Sequence, residues 1–175
     1  MEYIKFLEEN NIDYDSDVEN WKLKNEKQLL LRKSGNCYDT SYCAWKHFNG
    51  SMRIWIAETK NLTKSNLRSL KKGIIPTDLQ IGATHCICVY IDTSWRGLHS
   101  NTSYVWWEYT WDSYRGIHKY NSLIKLMDDI KSKWNRTPEF THLIFSQITN
   151  TKIGCSLSEF VDRGLKSKII HASEF

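Results

Sequence analysis

Apolar positions recur at helical spacing through the charged N-terminal part of the chain. Ile4, Phe6 and Leu7, then Val18, Trp21, Leu23 and Leu29-Leu30-Leu31, predict two amphipathic helical pieces over residues 1–10 and 16–33. The polar stretch "NNIDYDSD" separates them as a turn. A third helix is predicted from Asn36 as N-cap, with Asp39 in the first turn, where the helix dipole favours an acid. Tyr38, Tyr42, Trp45 and Phe48 mark its buried face, and Asn49-Gly50 ends it.

Beyond that point strand patterns alternate with helical ones. "SMRIWIAE" predicts a short strand, and "LTKSNLRSLKKG" a basic helix ended by Gly73 and Pro76. "ATHCICVYID" and "SYVWWEYTWD" read as two strands, apolar enough to be buried, with the eleven residues "TSWRGLHSNTS" as a long hairpin loop between them. "NSLIKLMDDIKSKW" is a helix with Asn121 near its cap, and "FTHLIFSQI" a third buried strand. "SLSEFVDRGL" closes the pattern as a short helix with Ser156 and Glu159 at capping-box spacing. Helices first and strands clustered later predict an α+β fold. The length of 175 residues predicts a single domain over 1–175, with 1–33 as its N-terminal helical segment.

Composition changes this picture little. Eight Trp, nine Tyr and six Phe predict a dense aromatic core or an aromatic-walled groove. A net charge of +4 is too mild to demand a nucleic-acid partner. The basic stripe Lys60, Lys64, Arg68, Lys71 and Lys72 reads as a solvated helix face. No apolar run approaches the roughly eighteen residues of a membrane span. The start of the chain lacks the pattern of a secretory signal, and the five cysteines do not form a loop-rich framework. The expectation is a reduced, cytoplasmic protein with no membrane partner.

Chemistry concentrates in "SGNCYDTSYCAW", residues 34 to 45. With Asn36 as cap, Cys37 is the first residue of a helix. Free backbone N–H groups and the positive helix end then favour its thiolate and stand ready for a developing oxyanion. A cysteine nucleophile needs a base. His85 is the best placed of six histidines, near the start of the strand "THCICVY", with His118 after Gly116 as second choice. His47 is ten residues along the Cys37 helix, about 15 Å away at 1.5 Å per residue, and cannot reach. His99 and His171 fall in apparent loop or tail. The base needs an orienting acid. Glu108 interrupts the aromatic run "YVWWEYTW", where an unpaired buried charge would be costly, and Asp112 is the alternative. Strand alternation groups His85, Ile87 and Val89 on one face and Trp106, Glu108 and Thr110 on one face of the partner strand.

Set against this are ordinary readings: Cys37 as a small buried hydrophobe, His85 as a core histidine and Glu108 as a sheet-edge residue. Cys86 and Cys88 lack a second pair at zinc spacing and read as core packing, so no metal and no cofactor is implied. Cys43 reads as buried or half-buried and inert, and Cys155 as moderately reactive without a base.

The stretches "GNCYDTSYCAWKHF", "THCICVYI", "YVWWEYTWDSYRGIHKY" and "GCSLSEF" resemble the transglutaminase-like branch of the papain-like cysteine enzymes. More narrowly, they are similar to small bacterial and phage proteins of that type, as separated islands over about residues 34 to 165. The resemblance implies a nucleophile helix packed on an antiparallel sheet, with Cys37 as nucleophile, His85 as base and Glu108 as third member. Many such enzymes carry Asp in the last place. It further implies acyl transfer through a thioester, by hydrolysis, deamidation or amine transfer, on a protein or peptide amide. The alternative is an inactive relative that grips a host protein or nucleic acid.

Overall fold

The computed structural model describes residues 37–48, 51–108, 110–149 and 156–175. The two helices expected over 1–33, the Asn36 cap, the Asn49-Gly50 terminator and Cys155 lie outside the described residues. Within them the fold is α+β, a six-stranded antiparallel sheet with four helices.

The strands are β1 (Met52–Lys60), β2 (Gln80–Arg96), β3 (His99–Glu108), β4 (Gly116–Tyr120), β5 (His142–Ile148) and β6 (Lys168–Glu174). Their order across the sheet is β4-β3-β2-β1-β5-β6. The helices are α1 (Cys37–His47), α2 (Lys64–Lys71), α3 (Leu123–Lys133) and α4 (Leu157–Lys166). They are interleaved with the strands, so the expected segregation of helices before strands does not hold.

Strand β1 is central because its sequence lets it be buried on both faces. Trp55 and Ala57 join Cys37, Tyr38, Leu70, Cys86, Ile144, Phe160 and Leu165 in one core, under α1, α2 and α4. Ile54 and Ile56 point the other way. They meet Ile87, Val89, Trp106, Leu143 and Phe145, and the buried face of α3 made by Leu126, Met127 and Ile130. The period of two along each strand thus divides the apolar residues between two layers.

Several sequence expectations are corrected. The eleven-residue loop does not exist. Strands β2 and β3 run on until Arg96 pairs with His99, leaving a two-residue turn at Gly97-Leu98. Gly97 has φ +63°, the left-handed value that a two-residue hairpin of this kind asks of its first position. Polar residues such as Thr93 and Thr102 suggest loop by composition, but β-branched threonine suits a twisted, partly exposed ribbon. Strands β4 and β6 were not expected, and the apparent tail is an edge strand in which His171 pairs with Phe145. His99 likewise begins β3.

The helix caps are as the sequence chemistry requires. Ser156 Oγ accepts from Glu159 N at 3.2 Å. At α3 the cap is Ser122, with Asn121 beside it as expected, and it accepts from Lys125 N. On α1 the expected face is buried at Tyr38, Tyr42 and Phe48, and half-buried at Trp45.

Candidate active site

Cys37 is the first of the described residues of α1, where the sequence predicts the helix start and its free backbone N–H groups. A buried cation holds this first turn. Arg53 on β1 is 2% exposed, and its Nη2 donates to Tyr38 O at 2.6 Å. Its Nε donates to Ser41 Oγ at 3.3 Å, and its guanidinium lies 4.3 Å over the Tyr38 ring. From the other side Arg163 on α4 donates to the Tyr38 hydroxyl at 3.0 Å. Burying Arg53 is tolerable because these acceptors replace water. The effect is to clamp the turn that carries Cys37 against the sheet.

His85 lies on β2, opposite Ile56 of β1. Glu108 is the last residue of β3, one step beyond the Cys88–Trp107 pair and so two residues out of register with His85. That diagonal spacing is within reach of two long side chains on one face. His85 Nε2 and Glu108 Oε1 are 2.5 Å apart, with side chains 12% and 3% exposed. Burial alone pulls the imidazole pKa down. The Glu108 charge, hydrogen bonds to Cys37 and Glu108, and the charge of Cys37 together outweigh it and raise His85 from 6.5 to about 10. The imidazole therefore stands between the helix-start thiol and a buried carboxylate, and is held as imidazolium at neutral pH.

Asp112, the alternative acid, is exposed in a short 3₁₀ turn (Asp112–Tyr114). His118 on β4 is engaged elsewhere: its Nε2 lies 2.6 Å from Tyr114 O and its ring stacks 4.5 Å from Trp106. The structure thus brings together Cys37, His85 and Glu108 and leaves these two outside.

The surroundings differ on the two sides of His85. Next to the thiol is a small gap with no room for a water molecule, lined by Cys37, Thr40, Cys86, Cys88, Trp107, Glu108 and Thr110. Cys37 itself is only 9% exposed. The Thr40 hydroxyl in this gap is buried and has no hydrogen-bond partner among the described residues. Beyond the imidazole an open cleft of about 250 Å³ is lined by Ala83, Thr84, His85, Thr110, Trp111, Trp134 and Asn135. Trp111 stands edge-on to both His85 (5.6 Å) and Trp134 (5.8 Å). Among the tryptophans, Trp106 packs in the α3 layer and Trp107 against Phe48 of the α1 layer, while Trp111 walls the cleft. The side chain of Trp95 lies outside the described ones.

Sequence reasoning missed Trp134, a helix-end residue with no local pattern, and Glu58, read as the tail of a short strand. It also missed Thr40, which helical spacing puts one turn after Cys37.

Cys86 and Cys88 face the α1 layer, beside Cys37. Burial pushes their thiols up to about 11 and about 12. No cluster of His, Cys, Asp or Glu suited to a metal ion occurs among the described residues. Lys64, Arg68, Lys71 and Lys72 are exposed along α2 and the residue after it, and Lys60 pairs with Glu139 at 3.4 Å. No helix among the described residues is long and apolar enough to cross a membrane. No family model, curated protein or solved structure matches the chain.

Proposed function

We propose that the chain is a cysteine-dependent acyl-transfer enzyme of the transglutaminase-like, papain-like type, acting on a protein or peptide amide in a reducing, cytoplasmic setting. The observation that supports this reading is the imidazole of His85 shared between the helix-start thiol of Cys37 and the buried carboxylate of Glu108. The thiolate attacks the amide carbon, and the carbonyl electrons move onto oxygen beside the free N–H groups of the helix start. As the tetrahedral adduct collapses, the C–N bond breaks and His85 gives its proton to the leaving amine. A thioester on Cys37 remains. Water or a second amine then adds while neutral His85 takes its proton, and the C–S bond breaks to restore the thiolate. Glu108 orients the ring and stabilises its charge without itself reacting.

The test is release of amine from a panel of peptide amides, with hydroxylamine as trap for the thioester. Cys37→Ala is expected to abolish turnover and keep the fold, and His85→Ala to do nearly as much harm. Glu108→Gln costs less. Full turnover by folded Cys37→Ala would end the proposal.

A second reading draws on the burial of Cys37 and the closed gap it lines. In it the three residues are a remnant, and the cleft walled by Trp111 and Trp134 grips a protein partner without chemistry. A partner bound equally well by wild type and Cys37→Ala, with no thioester trapped in either, would favour it.

A further inference from the structure

Between Ala57 and Thr59 the pairing of β1 with β2 slips. Ala57 faces Thr84 and Thr59 faces Ile81, so Gly82 and Ala83 together oppose Glu58 alone. This is a β-bulge, a device that releases a backbone donor from the ladder and re-aims the side chains beyond it. The bulge ends two residues before His85.

Glu58 fills the bulge. Its side chain is buried, 4% exposed, and both carboxylate oxygens are engaged. Oε1 accepts from the Ala83 backbone N–H at 2.9 Å. Oε2 accepts from the Trp134 indole N–H at 3.1 Å. Gly82 is required at this place. A Cβ there would stand 2.4 Å from Glu58 Oε1 and 2.7 Å from its Cγ, closer than real contacts allow. The glycine therefore makes room for the acid. Ala83 and Trp134, the two donors, are both walls of the cleft beside His85.

The geometry points to Glu58 as a positioning residue for the proposed reaction: one carboxylate fixes both the bulge that aims His85 and the indole that walls the cleft. This rests on the acyl-transfer reading, in which His85 handles the proton. A neutral amide cannot replace the carboxylate, because Gln has one acceptor and would turn its NH₂ toward one of the two N–H donors. Shape is kept and one hydrogen bond becomes a donor–donor clash.

The experiment compares wild type, Glu58→Gln, Trp134→Phe and Glu58→Gln with Trp134→Phe. Two quantities are read on the folded fraction: the His85 imidazole titration by NMR, and the rate of Cys37 alkylation by iodoacetamide resolved by peptide mass spectrometry. Glu58→Gln is expected to lower the His85 midpoint and slow Cys37 alkylation at pH 7 by about tenfold. In the Trp134→Phe background the amide no longer opposes an indole N–H. The same change then costs less than about threefold, because the Gln oxygen still accepts from Ala83. Folded Glu58→Gln with an unchanged His85 midpoint would overturn the inference, and so would an equal penalty in both backgrounds. A drop in thermal stability alone would mean a structural role only and counts against it. Should Glu58→Gln not fold, Glu58→Ala is made in the Trp134→Phe background, where it removes the acceptor for the Ala83 N–H: a lowered His85 midpoint relative to Trp134→Phe alone supports the inference, and an unchanged one overturns it. Failure of the acyl-transfer reading shows separately, as ordinary thiol behaviour of Cys37 in the wild type, while the His85 midpoint still reports on Glu58.

Discussion

Glu108→Gln removes one charge from the centre of the site and little else. The new amide keeps an oxygen that can accept from His85 Nε2, where the carboxylate oxygen now lies at 2.5 Å. In the wild type burial disfavours the imidazolium, yet Glu108 and Cys37 raise its pKa from 6.5 to about 10. At about 1.4 kcal/mol per pH unit that gap corresponds to about 5 kcal/mol favouring the charged, folded pair. A folded pKa above the unfolded one fixes the sign. The contribution is fully present below pH 6.5 and is lost as the pH rises through about 10.

Without the carboxylate charge, burial is opposed by Cys37 and by the hydrogen bond to the amide oxygen, and an opposite charge at this range accounts for about 1 to 3 pH units of the midpoint. The variant is therefore expected to be less stable than wild type by about 2–4 kcal/mol near pH 6, less than removal of a whole buried partner because the ring can discharge. The deficit shrinks toward zero near pH 10. Urea unfolding of both proteins across this range measures it, since groups common to both cancel in the difference. An NMR titration of His85 gives the midpoint directly. A deficit independent of pH, or a His85 midpoint still near 10 in Glu108→Gln, would refute the reasoning.

Thr40→Val replaces a buried hydroxyl that has no partner among the described residues by a methyl of similar size, and should raise stability by about 1 kcal/mol in thermal melts; a loss would mean the hydroxyl is engaged. Gly164→Ala places a Cβ 2.0 Å from the Trp55 ring, where α4 crosses the central strand. It should destabilise by about 3 kcal/mol or abolish folding, and an unchanged urea midpoint would show that α4 can lift off the sheet at little cost.

Much of this was legible because local chemistry and global fold agree. The "THCICVYID" and "FTHLIFSQI" runs can be buried on both faces and became interior strands, and Ser156 caps α4 at the spacing its sequence announces. The three candidate residues were legible for a different reason: each breaks its local pattern. A cysteine at a helix start, a histidine opening an apolar strand and an acid among tryptophans each ask for a partner, and the register of β2 against β3 supplies it.

The failures have physical causes too. Edge strands need apolar residues on one face only, so "GIHKY" and "KIIHASE" carry little signal. The Gly97-Leu98 hairpin was hidden because its flanks are polar ribbon and not core. Glu58 could not be found from the sequence at all. Its role depends on a bulge in a neighbouring strand and on an indole 76 residues further along the chain.

The central claim is that Cys37 is an activated thiol paired with His85. Site-resolved alkylation of Cys37 by iodoacetamide as a function of pH, with His85→Ala alongside, tests it most directly. Cys86 and Cys88 serve as internal references, because their thiols are pushed up to about 11 and about 12 and should label only on unfolding. The account predicts labelling of Cys37 that is already fast well below pH 8 and is slowed by loss of the imidazole. Labelling that follows an ordinary thiol, the same in both proteins, would contradict it.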